Sequence, residues 1–429
     1  MAKNWKISPS PIKGILHIPP SKSQSMRALL FALLAKGQSV IHNLLRSPDV
    51  EAMLLACSSL GASIERMDDQ ILITGLNGSL AGAEDIIQAG NSGLILRFIG
   101  AISSLSSKSI VITGDHSVRY KRPIAPLLEA LTQLGATAYS LREDGGAPIL
   151  VKGPLYPGMA CLNGEDSQPV SALLAACAFA QGPTEIFVTE PGEKPWINLT
   201  LRWFQRLGIP YTMHQFDYYK LEGKATVAGF NYTVPADFSS LTYPLAAALV
   251  TGSSIEVHGL DFNDCQGDKQ ILNLLQQMKA PLEVDDQKGI LHLQEGSILE
   301  GISVDLNDCI DALPLMAVLG CFSEGKTEIT GAAIARKKES DRITSIASQL
   351  RKMGANLEEH ADGLTVYPSP LKGAEVHSCF DHRIALSLAV AALGAKGETL
   401  IQEIACVEKS YPNFYTEIKN LGAQIETRL

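Results

Sequence analysis

Short segments of this chain repeatedly set cations, hydroxyls or carboxylates at the edge of an apolar run, the arrangement that holding a small anion requires. The richest is Pro20-Ser21-Lys22-Ser23-Gln24-Ser25-Met26-Arg27, which leads into the leucine-rich residues 28–35. Backbone N–H groups at a helix start, with hydroxyls and cations beside them, suit an anionic ligand. A plain N-cap flanked by solvated charges reads the same way. Ala89-Gly90-Asn91-Ser92-Gly93 precedes an apolar run containing Arg97, and its two glycines let backbone amides approach an anion closely. An ordinary loop-to-helix turn is the alternative there. Lys121-Arg122-Pro123-Ile124 starts another helix, with Pro123 suited to the first turn.

Carboxylates enter in the second half. Lys337-Lys338-Glu339-Ser340-Asp341-Arg342 reads either as a surface helix held by i,i+3 and i,i+4 pairs or as part of a site. Helical spacing would put Lys338 and Arg342 on one side, with Glu339 a step round. Phe380-Asp381-His382-Arg383 stands at the mouth of a long apolar helix, and Val407-Glu408-Lys409-Ser410-Tyr411-Pro412 repeats that placement. Asp311 stands alone in Cys309-Ile310-Asp311-Ala312-Leu313-Pro314, as a helix cap or as a functional carboxylate. Together these segments describe a cleft receiving loops from two domains around a strongly anionic small molecule. Nothing matches a Walker loop, a dinucleotide fingerprint, a nucleophile elbow or a metal-binding histidine pair.

The elements that must position these residues follow a repeat. A helical pattern ending in Leu-Gly-Ala or a variant, then an alternating strand-like stretch, recurs at Leu60-Gly61-Ala62, Leu134-Gly135-Ala136, Leu207-Gly208-Ile209, Met278-Lys279-Ala280, Met353-Gly354-Ala355 and Leu421-Gly422-Ala423. The spacing of about 70 residues is too long for a solenoid and suits a βαβ-containing unit. The glycine is a helix C-cap, where a left-handed conformation closes the last turn. Strands such as Gln70-Ile71-Leu72-Ile73-Thr74 follow it. Six units divide into two groups of three, with the boundary near Pro235-Ala236-Asp237.

Composition narrows the function classes. The 429 residues are 46% hydrophobic and 19% charged, with a net charge of −9, so there is no whole-protein pull toward nucleic acid or membrane. The eight cysteines are spread singly and read as reduced thiols of a cytoplasmic protein. The start of the chain lacks the apolar core of a signal peptide, and the apolar runs are too short to span a bilayer.

With these residues assembled, the chain resembles the enolpyruvyl transferase family, specifically 5-enolpyruvylshikimate-3-phosphate synthases. The resemblance covers essentially the full length. It rests on Pro-Ser-Lys-Ser with Arg27, Gly-Asn-Ser-Gly with Arg97, Arg122-Pro123-Ile124, Ser167-Gln168, Gln266-Gly267-Asp268, Asp311-Ala312, Lys338 to Arg342, Asp381-His382-Arg383 and Lys409-Ser410-Tyr411-Pro412. It implies an α/β (α+β) fold of two similar domains, each three βαβαββ units in an inside-out α/β barrel, closing on the ligands with the active site in the interdomain cleft. The N-terminal domain would be 21–235, and 1–20 plus 236–429 would form the C-terminal one.

The resemblance further implies transfer of the enolpyruvyl group of phosphoenolpyruvate to the 5-hydroxyl of shikimate 3-phosphate, a transferase step of the shikimate pathway toward chorismate and aromatic amino acids. No metal or organic cofactor is expected, nor a nucleic-acid or membrane partner, and the enzyme would be a monomer. Arg342 and Arg383 would hold the phosphoenolpyruvate carboxylate. Lys22, Arg122, Gln168, Lys409 and the Gly93 amide would hold its phosphate, and Asn91 would also bind phosphoenolpyruvate. Lys22, Ser23, Arg27, Ser167, Gln168, Asp311 and Lys338 would bind shikimate 3-phosphate. Asp311 would be the base toward the 5-hydroxyl, Glu339 the acid and then the base at the methylene, and Lys22 would steady charge on the phosphate.

The chain departs from the family pattern where it should hold the acceptor's phosphate. Asp166 and Glu193 replace serines, and Trp196 replaces a tyrosine. Acids beside a phosphate repel it unless cations such as Lys194, Lys337 and Lys338 offset them or the acids point away. Leu94 and Phe98 stand where the family usually has threonine and often proline, near its glyphosate site, so an altered inhibitor response is expected. The rivals are the sister enzyme acting on UDP-N-acetylglucosamine, a transferase with an unphosphorylated acceptor, and a non-catalytic anion-binding relative. The sister enzyme typically carries a reactive cysteine in a loop that here reads Asp115-His116-Ser117-Val118-Arg119.

Overall fold

A computed structural model describes residues 3–296 and 298–428. Met1, Ala2, Ser297 and Leu429 lie outside it, including the first two and last positions of the domain expected at 1–20 plus 236–429.

Three helices in each half of the chain are apolar on nearly every side, and this dictates the architecture. Lys22–Leu34, Gly93–Ser103 and Ser167–Ala178 are buried almost throughout, as are Phe238–Val250, Leu313–Phe322 and His382–Gly394. A helix without a polar face must be enclosed on all sides. Among the described residues, six four-stranded sheets supply the cover. Within one sheet, Ser303–Asp305 runs parallel to Thr327–Thr330, which pairs antiparallel with Gly363–Tyr367, itself in a hairpin with Asn356–His360. The other five sheets repeat this order. Between the buried helix and the hairpin, each repeat carries a second helix with a polar side, such as Lys194–Leu207 or Arg342–Lys352.

The left-handed closure of that second helix holds at every repeat. Gly61, Gly135, Gly208, Gly354 and Gly422 all have positive φ, and Lys279, at the position without glycine, adopts φ 66°. Among the described residues a βαβ-containing unit therefore recurs six times, ending in a hairpin in five of them; in the sixth, Gln424–Arg428 pairs instead with Asn4–Ser8.

The chain forms two compact units, Lys22–Val234 and a terminal unit made of the residues through Ser21 and those from Pro235 onward. Chain ends complete sheets in each. Asn231–Thr233 adds the parallel edge strand to the sheet of Lys36–His42. In the terminal unit, Asn4–Ser8 inserts between Thr399–Gln402 and Gln424–Arg428, while Gly14–His17 runs parallel to Ile255–His258. Among the described residues, no helix is long and apolar enough to cross a membrane.

Two local expectations need correction. Residues 338–341 are not helical: Lys338 is extended at φ −91°, ψ −150°, and Asp341 caps a helix that begins only at Arg342. The cap carboxylate accepts from Thr344 N at 3.1 Å, a bond that a helix continuing backward through Asp341 would forbid. Pro123 likewise lies outside its helix, which runs Ala125–Gln133 with Pro126 in the first turn.

Candidate active site

The segments at Lys22, Gly93, Ser167 and Asp381 stand at the N-terminal ends of buried helices, where unpaired amides and the positive end of the helix dipole favour anions. Lys338 to Arg342 leads into a half-polar helix, and Lys409 ends a 3-10 segment.

In the Lys22–Val234 unit, Lys22 opens its helix, with Asp49 Oδ2 at 3.9 Å. Ser23 follows, and its carbonyl accepts from Arg27 Nη1 at 3.3 Å. Arg27 is buried, donating to Thr200 Oγ1 at 2.9 Å and to the Trp196 carbonyl at 3.0 Å. Its guanidinium also lies over the Phe98 ring, 5.3 Å from the centroid.

The second helix start brings Gly93 together with two arginines. A Cβ at Gly93 would lie 2.5 Å from Arg97 Nη1, so glycine lets that guanidinium approach the backbone, with Arg122 Cζ 3.5 Å from the same point. Arg97, a residue without an expected role, cross-links the site. It donates to Gln168 Oε1 at 3.5 Å, to the Pro123 carbonyl at 2.7 Å and to Asp166 Oδ2 at 3.2 Å. Asn91 uses its amide elsewhere, donating to Asp115 Oδ2 at 2.6 Å.

Both unexpected acids are engaged at the third helix start. Asp166 is its N-cap, accepting from Gln168 N at 3.1 Å while it pairs with Arg97. Glu193 is buried and left-handed at φ 45°, and its Oε2 accepts from Ser167 N at 3.0 Å and Ser167 Oγ at 3.1 Å. The hydroxyl expected to bind the acceptor thus donates to an internal carboxylate.

The terminal unit joins residues far apart in sequence into one ionic network. Asp311 lies in a 3-10 segment before the Leu313 helix and is not that helix's N-cap, which is Ala312. Its two oxygens are held by two guanidiniums: Oδ1 accepts from Arg342 Nη1 at 2.5 Å and Oδ2 from Arg383 Nη2 at 2.8 Å. Arg342 also donates to Asp381 Oδ2 at 2.8 Å and Glu339 Oε2 at 2.7 Å, and Lys409 Nζ donates to Glu339 Oε1 at 2.8 Å. Lys338 is buried and acts electrostatically on Asp311.

Asp381 is the anchor that sequence reading left without a role. It accepts from Arg383 N at 2.9 Å as the helix cap and from Ser340 Oγ at 3.1 Å, besides Arg342. Its place in Asp381-His382-Arg383 was the available signal. Burial raises the proton affinity of Asp311, but Arg383, Arg342 and Lys338 outweigh it and hold the carboxyl well below the ordinary aspartate range. Burial disfavours the Arg342 charge, yet Asp381, Glu339 and Asp311 keep it firmly protonated.

Chemically, the terminal network offers two guanidinium forks, the donors that best match a planar carboxylate. It also offers two carboxylates, Asp311 and Glu339, whose cationic partners a ligand could draw away. Among the described residues, no group of three or more His, Cys, Asp or Glu is arranged to hold a metal ion.

Comparison with known proteins identifies the family. The profile of the EPSP synthase (3-phosphoshikimate 1-carboxyvinyltransferase) family matches residues 7–418. A 3-phosphoshikimate 1-carboxyvinyltransferase of Chlamydia pneumoniae is 41% identical over 424 residues, covering 98% of this chain and 94% of the relative. That of Acetivibrio thermocellus is 39% identical over 422 residues, covering 98% and 99%. The solved EPSP synthase of Acinetobacter baumannii superposes with a TM-score of 0.84 at 28% identity, over 100% of both chains. By sequence over nearly its whole length, and by fold, the chain belongs to the EPSP synthase family.

Proposed function

We propose that the chain transfers the enolpyruvyl group of phosphoenolpyruvate to the 5-hydroxyl of shikimate 3-phosphate, releasing phosphate and 5-enolpyruvylshikimate 3-phosphate. The observation that carries this reading is the grip of Arg342 and Arg383 on the Asp311 carboxylate. The donor presents the same planar, singly charged group. Binding to the same forks, it takes over guanidinium donors from Asp311 and releases that carboxylate to act.

Held by two arginines, Asp311 is a weak base. Freed by the donor, its proton affinity rises and it accepts the proton of the 5-hydroxyl as the oxygen attacks the enol carbon. Glu339 delivers a proton to the methylene carbon, completing a tetrahedral intermediate. Glu339 then removes a methyl proton as the carbon–oxygen bond to phosphate breaks, and phosphate leaves with the bonding pair. Lys22, Arg122, Gln168, Lys409 and the Gly93 amide neutralise the donor's phosphate, with Asn91 ordering their loop through Asp115. Ser23, Arg27, Ser167 and Lys338 orient the acceptor beside Asp311.

One observation favours a second reading. Because Glu193 engages Ser167, an acceptor without a phosphate at that end would meet less repulsion. Phosphate release from phosphoenolpyruvate, assayed in parallel with shikimate 3-phosphate, shikimate and UDP-N-acetylglucosamine, separates the readings. Turnover with shikimate 3-phosphate alone is expected; turnover only with another acceptor overturns it. The reading carries with it a cytoplasmic monomer, checked by light scattering on a sizing column. It also carries a glyphosate response altered by Leu94 and Phe98. Half-inhibitory concentrations for wild type and L94T test that, and equal values count against it.

A further inference from the structure

Beneath Asp311 lies a second carboxyl that the mechanism does not use. Asp268 sits in the 3-10 turn Gly267–Lys269 and is 2% exposed. The Cys309 thiol reaches its Oδ1 at 3.8 Å, and its Oδ2 is buried without a hydrogen-bond partner. The groups acting on it are Asp237 and Ser239 at the start of the Phe238 helix, Cys309 and Asp311 from the 3-10 segment, and Arg383 from the His382 helix. Tyr243 joins them through Arg383 Nη1 at 3.4 Å. Arg383 Nε is likewise buried without a hydrogen-bond partner, and Ser239 stands close enough for its hydroxyl to act on the Asp268 carboxyl.

The charge pattern says which form fits. Lys338, Arg342, Arg383 and Lys409 stand with the carboxylates Asp237, Asp311, Glu339 and Asp381. Arg383, the cation acting on Asp268, is already paired with Asp311, and an arriving donor adds negative charge. Burial and the proximity of Asp311 push the Asp268 carboxyl up to about 7, against the pull of Arg383 and Ser239.

We propose that Asp268 is a positioning residue for the donor's carboxylate: neutral, it leaves the charge of Arg383 to Asp311 and then to the donor, and ionised, it competes for that charge and weakens donor binding. The inference rests on the functional reading above and adds a residue with no contact to either substrate. It separates donor affinity from chemistry, because the ionisation acts on Arg383 and not on the hydroxyl or the methylene.

The test is the pH dependence of steady-state phosphate release at saturating shikimate 3-phosphate, for wild type and D268N. In the wild type, KM for phosphoenolpyruvate should rise about tenfold between pH 7 and 8.5 while kcat changes less than about twofold, as loss of the binding-competent neutral form dictates. D268N, isosteric and permanently neutral, should keep KM within about twofold of its value at pH 6.5 throughout. A D268N profile that rises like the wild type overturns the proposal. Should D268N not fold, the wild-type profile decides: a flat KM overturns the proposal, and a rise in KM without a matching fall in kcat supports it. Absence of phosphate release in the wild type would overturn the functional reading instead. Calorimetric titration with phosphoenolpyruvate over the same pH range then still decides the role of Asp268.

Discussion

The two units build the same scaffold and charge it differently. Each gathers the starts of three buried helices. In the Lys22–Val234 unit these starts carry a lysine, the Gly93 amide and Ser167, and two acids are held at the Ser167 helix start: Asp166 by that start and by Arg97, Glu193 by Ser167. In the terminal unit the segments before or capping the helices carry Asp237, Asp311 and Asp381, and the arginines crossing them belong to other segments. A carboxylate tied to its own helix start stays where it is. One held by a distant guanidinium changes its proton affinity when a competing anion takes that guanidinium. In the proposed mechanism both carboxylates assigned to proton transfer, Asp311 and Glu339, lie in the terminal unit, while both units supply cations for the donor.

The largest expected break in this contrast is kinetic. D311N and E339Q should each lower kcat about 10²–10⁴-fold, the range for losing an acid–base group, without raising KM for phosphoenolpyruvate. D166N, which keeps an N-cap acceptor, should lose less than about tenfold. Phosphate-release kinetics on variants with matching circular dichroism check this. Equal losses in the two units would erase the distinction.

Stability should part the units next. Arg342 neutralises three buried or half-buried carboxylates, so R342A should cost about 3–5 kcal/mol in urea unfolding, as expected for stranding buried charge. Arg97 meets one carboxylate, and R97A should cost about 1–3 kcal/mol.

A smaller effect tests the grip itself. E193S frees the Ser167 hydroxyl and removes a buried charge, so KM for shikimate 3-phosphate should fall about 2–10-fold, the worth of roughly one hydrogen bond, with kcat unchanged. An increase in that KM would show that Glu193 holds Ser167 in a productive position.

The mildest contrast is in pH. The Asp311 carboxyl is lowered in the folded state, so its contribution to stability is complete above the ordinary aspartate value and is lost as pH falls below it. The stability difference between wild type and D311N should therefore be constant from pH 5 to 8 and shrink in stronger acid. Asp268 has the opposite sign. Raised to about 7, it stabilises relative to its ionised form at low pH, and that advantage declines as pH climbs from about 4 to about 7. Thermal melts of D268N against wild type should diverge across that interval in the variant's favour and level off above it.

Much of the fold was legible because its signals are local. The C-cap repeat depends on a few neighbouring dihedrals, and even Lys279 complies at φ 66°. The site segments were legible as compositions, since cations, hydroxyls and small residues at helix starts have a local meaning. Lys338 to Asp341 misled by the same token: the charge spacing looked helical, and the Asp341 cap decided otherwise. Glu193 was visible as a departure, but its bond to Ser167, 26 positions away, was not. Asp268 appeared only as part of a motif, and its burial against Cys309, 41 positions on, gives it a role.

By itself, then, the sequence determined the six-unit scaffold, the helix starts at which ligands can bind, and the types of charge placed there. Tertiary structure alone decided which charges meet. Asp311 pairs with Arg342 and Arg383 across 31 and 72 positions, and Arg342 with Asp381 across 39. Capping and turn energies depend on adjacent residues. Electrostatic energies and proton affinities depend on distance and burial, which only the folded chain sets.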